Sequence, residues 1–232
     1  MSLWETNSKE SKLPFGEAQL LSLLYGIHLP DYKTKEELEN KLSEVKQEKT
    51  NVIGYIYNTI CEAKGVDTLS DCNAVEIGPG AGIMLDWLAP KINHLSCVDI
   101  SETILNGCKE QNKQHKNVSY NLIEKLEFPN LKDIDFVYSQ SVFIHLSILD
   151  FYLYFKELYK VLKPNGLIYI EVPNMAKQLK LKGFGSLHMA HTIGFGRYSL
   201  ELLGAYSGMV PLEIFDVFDI GIIFKKGQAR PL

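Results

Sequence analysis

With 232 residues, 46% of them hydrophobic and 22% charged, the chain has the size and balance of one α/β domain able to bury a sizeable core. Its apolar runs are far too short to span a bilayer and residues 4–12 are polar and charged, so a cytoplasmic protein without signal peptide or membrane partner is expected. Net charge is −4, and of 24 basic residues only Arg197 and Arg230 are arginine, which disfavours nucleic acid as a partner because duplex binders present basic faces with arginine clusters.

Residues 1–12 read as a loose polar segment, and 14–29 as a helix stopped by Gly26 and Pro30. One long helix or two are expected over 33–63. The first half alternates charge sign around a stripe of Leu38, Leu42 and Val45, which is the pattern of a solvated helix face. The second half, Val52 to Ile60, is richer in Ile and Tyr and is expected to pack on a sheet. Cys61, Cys72, Cys97 and Cys108 show no CxxC spacing, so reduced, partly buried thiols are expected and cysteine-held metal is not.

The stretch from Asn73 to Leu88 carries the most chemical information. A short apolar run is followed by Gly78, Gly80 and Gly82 and then by apolar residues at helical spacing, so it predicts strand, tight turn and helix. Glycines there let a ligand approach the backbone and permit positive φ. A dinucleotide fingerprint needs a glycine where this chain has Ile83, and Glu76 stands at the strand's end, where a carboxylate repels a pyrophosphate and attracts a cation. An NAD-linked oxidoreductase is thereby disfavoured. The Glu-x-Gly-x-Gly-x-Gly pattern, with Pro79 inside it, resembles the first motif of class I S-adenosylmethionine-dependent methyltransferases, whose cofactor is cationic and carries no phosphate.

Further along, 94–101 predicts a second strand ended by Asp99, 17 residues after Gly82, where a carboxylate can accept both hydroxyls of a ribose. Ser101 suits the N-cap of the helix that follows. A third strand is expected over 117–123. The family's usual aspartate in the next turn is missing here, leaving the backbone of Leu122 or Ile123, with Asn121 or Glu124 as a partner, to read an adenine. A fourth strand over 133–139 ends in Ser139, Gln140 and, shortly after, His145. The resemblance implies that Ser139 and Gln140 lie beside the methionine part of the cofactor and His145 near the donor methyl. A helix over 148–162, a Lys163-Pro164-Asn165-Gly166 turn and a strand over 167–172 resemble the family's later motif.

A glycine-bearing loop at about 173–197 follows, its position that of a lid, with His188 and His191 as further candidate bases. A helix over 198–207, two antiparallel strands over 211–218 and 219–224 and a tail complete the chain.

The resemblance spans residues 70–225 and implies an α/β fold: a doubly wound, mostly parallel seven-stranded sheet with an antiparallel last strand, plus N-terminal helices covering the cofactor site. Residues 1–70 are then a helical cap and 71–232 the S-adenosylmethionine-binding (SAM-binding) domain. The expected function is methyl transfer from SAM to a small-molecule acceptor, a sugar, lipid-linked or secondary metabolite, with oxygen, nitrogen and carbon centres all open. Alternatives are a protein or RNA methyltransferase and a non-catalytic partner protein of the same fold. Expected cofactor-binding residues are Glu76, Gly78, Pro79, Gly80, Gly82, Asp99, Ile100, Leu122, Ile123, Ser139 and Gln140. Candidate catalytic residues are His145, His188 and His191, without a metal, in a monomer or homodimer that releases S-adenosylhomocysteine (SAH).

Overall fold

A computed structural model describes residue 25 and residues 34–124, 127–128, 131–173, 197–216 and 219–227. The expected helix over 14–29, apart from Tyr25, and the loop over 174–196 lie outside the described residues.

The first described helix, α1 (Lys35–Lys64), is one helix of 30 residues. It begins with a reciprocal cap, in which the Glu37 N–H donates to Thr34 Oγ1 and the Thr34 N–H to Glu37 Oε2, each at 3.1 Å. It ends at Gly65, whose φ of 66° closes the last turn. Charged residues line its exposed first half, while Ile53, Ile56 and Ile60 are fully buried, each worth about 1.5–3 kcal/mol of apolar burial.

Seven strands follow: β1 (Asn73–Ile77), β2 (His94–Asp99), β3 (Val118–Leu122), β4 (Ile134–Ser139), β5 (Leu162–Pro173), β6 (Met209–Asp216) and β7 (Asp219–Lys226). Between them lie α2 (Ile83–Leu88), α3 (Glu102–Gln111), α4 (Ile148–Val161) and α5 (Arg197–Tyr206). The sheet order is β3-β2-β1-β4-β5-β7-β6, parallel except for β7, which runs against both β5 and β6. β1 therefore sits where the chain order reverses, with β2 on one side and β4 on the other.

Alternation along the strands builds two cores. Val75, Ile77, Val137, Ile168 and Ile170 face α4, which supplies Phe151, Phe155 and Leu158. Ala74, Cys97, Phe136 and Tyr138 face α1, α2 and α3. All four cysteines are buried free thiols.

The strands lie within a few residues of their expected places, with two differences. The Lys163–Gly166 segment belongs to β5 as an irregularity between the pairs Ile134↔Leu162 and Phe136↔Leu167, and Asn165 takes φ 63° there. The expected tail is strand as far as Lys226, because β7 pairs with β5 at Lys225 and with β6 at Lys225 and Lys226.

At the amino edge of the sheet the buried Asp135 carboxylate accepts from Lys163 at 2.7 Å and from the Asn73 N–H at 2.9 Å, with Lys64 at 3.6 Å. Burial would raise this carboxyl; the two ammoniums and the backbone donor outweigh it and hold it below its ordinary value. The contacts tie α1, β1, β4 and β5 together at the end opposite the glycine turn.

Candidate active site

β1 delivers Glu76 and then the turn to the carboxyl edge of the sheet. Gly78, Gly80 and Gly82 have φ of 71°, 54° and 74°, a sequence of left-handed residues that side chains resist. Packing adds a second reason at two of them. A Cβ on Gly78 would lie 2.2 Å from Val142 Cγ2, and one on Gly82 would lie 2.2 Å from Asn112 Nδ2 and 2.8 Å from Cys108 Sγ. Protein neighbours thus already demand glycine at 78 and 82. Pro79 is buried within the turn, and its carbonyl accepts the Gly82 N–H at 2.8 Å.

Glu76 is 3% exposed. Its register neighbours are Cys97 on β2 and Tyr138 on β4, so the carboxyl lies on the face covered by α1. Cys97 Sγ is 4.0 Å from Glu76 Oε2, and the Tyr138 hydroxyl is buried beside the carboxyl. Burial pushes the Glu76 carboxyl from 4.5 up to about 8, with Tyr138 and the Lys49 ammonium pulling the other way. The group is therefore largely neutral at pH 7 in the absence of a further cation.

Asp99 ends β2 half-buried. Its Oδ1 accepts the Ser101 N–H at 2.8 Å, and its backbone carbonyl accepts the Ile123 N–H at 2.9 Å. Burial raises its carboxyl, opposed by the Ser101 and Ile100 amides. Ser101 caps α3 through its own hydroxyl, so Asp99 is not needed for that task. Beside it Ile100 is 72% and Leu122 39% exposed, apolar surface left open at the edge, whereas the Ile123 side chain is in the core.

At the tip of β4, Ser139 is buried and its hydroxyl donates to the Ile77 carbonyl at 3.0 Å, which ties its side chain to the sheet. Gln140 Oε1 accepts from Lys49 Nζ at 2.6 Å. His145 closes a 3₁₀ turn (Phe143–His145) and is exposed, and Ile148 and Leu149 beyond it are 60% and 64% exposed. His188 and His191 lie outside the described residues. The structure thus brings every other candidate residue to one edge, around the β1/β4 reversal, which is where open α/β sheets bind ligands.

Two residues of this edge escaped the sequence reading. Asn112 clamps the turn, donating to the Ala81 carbonyl, and Lys49 reaches from α1 to Gln140. Neither belongs to a motif. A cavity of about 470 Å³ lies behind the turn among Lys46, Thr50, Gly82, Trp87 and Asn112, and neither Asp99 nor Gln140 lines it. Among the described residues no group of His, Cys, Asp and Glu could hold a metal ion.

Comparison with known proteins adds a likeness over this part of the chain. Residues 75–170 match a family model described as a methyltransferase domain. The matched segment runs from β1 into β5 and spans less than half of the chain. All eleven expected cofactor residues lie within the matched segment, and α1, β6 and β7 lie outside it. No curated protein matches the chain.

The fold of the chain is shared with solved structures of low sequence identity. A SAM-dependent methyltransferase from Clostridium acetobutylicum superposes with a TM-score of 0.66 at 12% identity, covering 82% of this chain and 100% of that one. Magnesium protoporphyrin IX methyltransferase from Synechocystis, with bound SAH, gives 0.63 at 12%, covering 84% and 89%. The N-methyltransferase NodS from Bradyrhizobium japonicum, also with SAH, gives 0.58 at 15%, covering 75% and 87%. The seven-stranded order with one reversed strand is the Rossmann-like methyltransferase fold.

Proposed function

We propose that the protein transfers the methyl group of SAM to a small-molecule acceptor and releases SAH. The observation that carries the reading is the convergence of Glu76, Asp99, Ile100 and Leu122 around a three-glycine turn at the β1/β4 reversal. That set fits the cofactor. Exposed apolar surface at Ile100 and Leu122 suits an adenine face, the adjoining Asp99 carboxylate suits ribose hydroxyls, and Glu76 suits an ammonium.

When bound, SAM supplies a methyl on a sulfonium, open to in-line displacement. The chain's part is mainly alignment. Asp99 and the turn hold the adenosine end, and Glu76 loses its proton to pair with the ammonium. His145, exposed at the carboxyl end of β4, is placed to take a proton from a hydroxyl or carbon acceptor. Ile148 and Leu149 offer apolar surface next to it. A small acceptor is further supported by the net charge of −4 and the scarcity of arginine.

The test is a methyl-transfer assay with labelled SAM against panels of small hydroxylated and amine compounds, a mixed protein extract and total RNA. Label entering only the small-molecule fraction supports the reading. Label entering protein or RNA with none in the small molecules contradicts it.

A further inference from the structure

The strand register beyond Glu76 singles out a residue with no role so far. Ile77 pairs with Ser139, and Ser139 with Ile170, so one step on, Gly78, Gln140 and Glu171 follow those positions along their strands. Side chains alternate, which puts Gln140 and Glu171 on the same sheet face as Glu76, Tyr138 and Tyr169, the face that α1 covers. Lys49 projects from α1 over this row. Its half-buried ammonium donates to Gln140 Oε1 at 2.6 Å and feels the charges of Glu171 and Glu76. Among the described residues its hydrogen-bond partner is Gln140, so an ammonium with three donors stands at the reversal point. It is also the one described cation that acts on Glu76.

We infer that Lys49 binds the α-carboxylate of the cofactor's amino-acid end, opposite Glu76, which takes the ammonium. The inference rests on the cofactor reading given above. An α-amino acid carries its two charges on one carbon, so a site complementary to it needs a carboxylate and a cation within a few ångströms of each other. Glu171 and Glu76 both act on Lys49, and Glu76, beside the glycine turn, supplies the carboxylate of such a pair with Lys49 as its cation. A bound carboxylate would satisfy donors that Gln140 leaves unused, and the desolvation that weakens the ammonium when alone strengthens a charge-assisted bond once it is made. Lys49 lies 27 positions before Glu76 in a run of charged residues, and only the fold brings the two together.

The experiment is calorimetry of the full chain with SAM and with decarboxylated SAM, which keeps the amine, sulfonium and adenosine and lacks only the carboxylate. Wild type binds the decarboxylated ligand roughly 10- to 100-fold more weakly than SAM. Lys49→Gln weakens SAM by a similar factor, leaves the decarboxylated ligand within about twofold, and Lys49→Arg recovers part of the loss. The wild-type comparison needs no variant, so a poorly folded Lys49→Gln cannot shelter the inference. Equal affinity of wild type for both ligands overturns it, as does equal weakening of both ligands by Lys49→Gln. Unchanged SAM affinity with a raised KM for the acceptor would move Lys49 to the acceptor and also overturns it. A wild type that binds SAM while failing these comparisons refutes only the role of Lys49; one that binds neither ligand refutes the cofactor reading as well.

Discussion

Asn112 Nδ2 donates to the Ala81 carbonyl at 3.1 Å and to the Cys108 carbonyl at 2.9 Å, so the end of α3 clamps the glycine turn from behind. The same nitrogen occupies the space a Cβ on Gly82 would need. Gly82→Ala therefore meets both a clash and a φ of 74°, and a loss of about 2–4 kcal/mol is expected by urea unfolding. Asn112→Ala alone should cost about 1–2 kcal/mol. The double variant should lose less than the sum, because removing the Asn112 amide opens the space that the added methyl group would fill, while the strain at φ remains. Strict additivity would contradict the contact.

Glu76 makes stability and function pull apart with pH. Its folded pKa of about 8 lies above the ordinary 4.5, so its contribution is fully present below pH 4.5 and is lost as pH rises toward 8. Glu76→Gln has no such loss. The variant's advantage over wild type should be small at pH 4.5, grow by up to about 1.4 kcal/mol per pH unit, and level off above pH 8. Other titrating groups cancel in the difference. The same variant should bind SAM more weakly, and wild type should release about one proton more on binding at pH 7, measured in buffers of different ionisation enthalpy. Parallel stability curves would refute the burial argument.

At the other edge, Asp135→Asn removes the partner of Lys163 and weakens the junction of β1, β4 and β5. A loss of about 1–3 kcal/mol at pH 7 is expected, discounted because the Lys163 side chain is 37% exposed. Since the Asp135 carboxyl is held below its ordinary 3.8, its stabilisation is present above that value and disappears as pH falls through the depressed one. Wild type and variant should converge in acid. Methyl transfer should be little changed in folded Asp135→Asn, because the residue lies at the opposite end of the sheet.

His145→Ala should leave the SAH dissociation constant unchanged. With a hydroxyl or carbon acceptor it should lower kcat by about 100-fold or more, whereas an amine that sheds its proton to water shows no such loss. The two measurements together locate His145 and sort the acceptor.

What could be read in the residues follows what is local. The three glycines, the Asp99 that closes β2 and the alternation of apolar strand with amphipathic helix are short-range patterns, and the sheet order follows from them with few alternatives. The sequence leaves one helix or two over 33–63, and the cap at Thr34, the stop at Gly65 and the fit of half-buried Gly54 beside Trp87 explain the single helix. Contacts across the chain were not legible. Lys49 and Gln140 are 91 positions apart and Asn112 is 31 from Ala81, and no periodicity links such pairs. Ser139 adds a contact of the same kind: its hydroxyl donates to the Ile77 carbonyl, 62 positions away, at 3.0 Å.

Binding of SAM by the glycine turn and Asp99 underlies every functional step proposed for this chain. Isothermal calorimetry of SAM and SAH against wild type and Asp99→Ala tests it most directly. Wild type is expected to bind both ligands, with a weakening of roughly 10- to 100-fold in a folded Asp99→Ala. Absence of binding by well-folded wild type, or equal affinity in the variant, would contradict it.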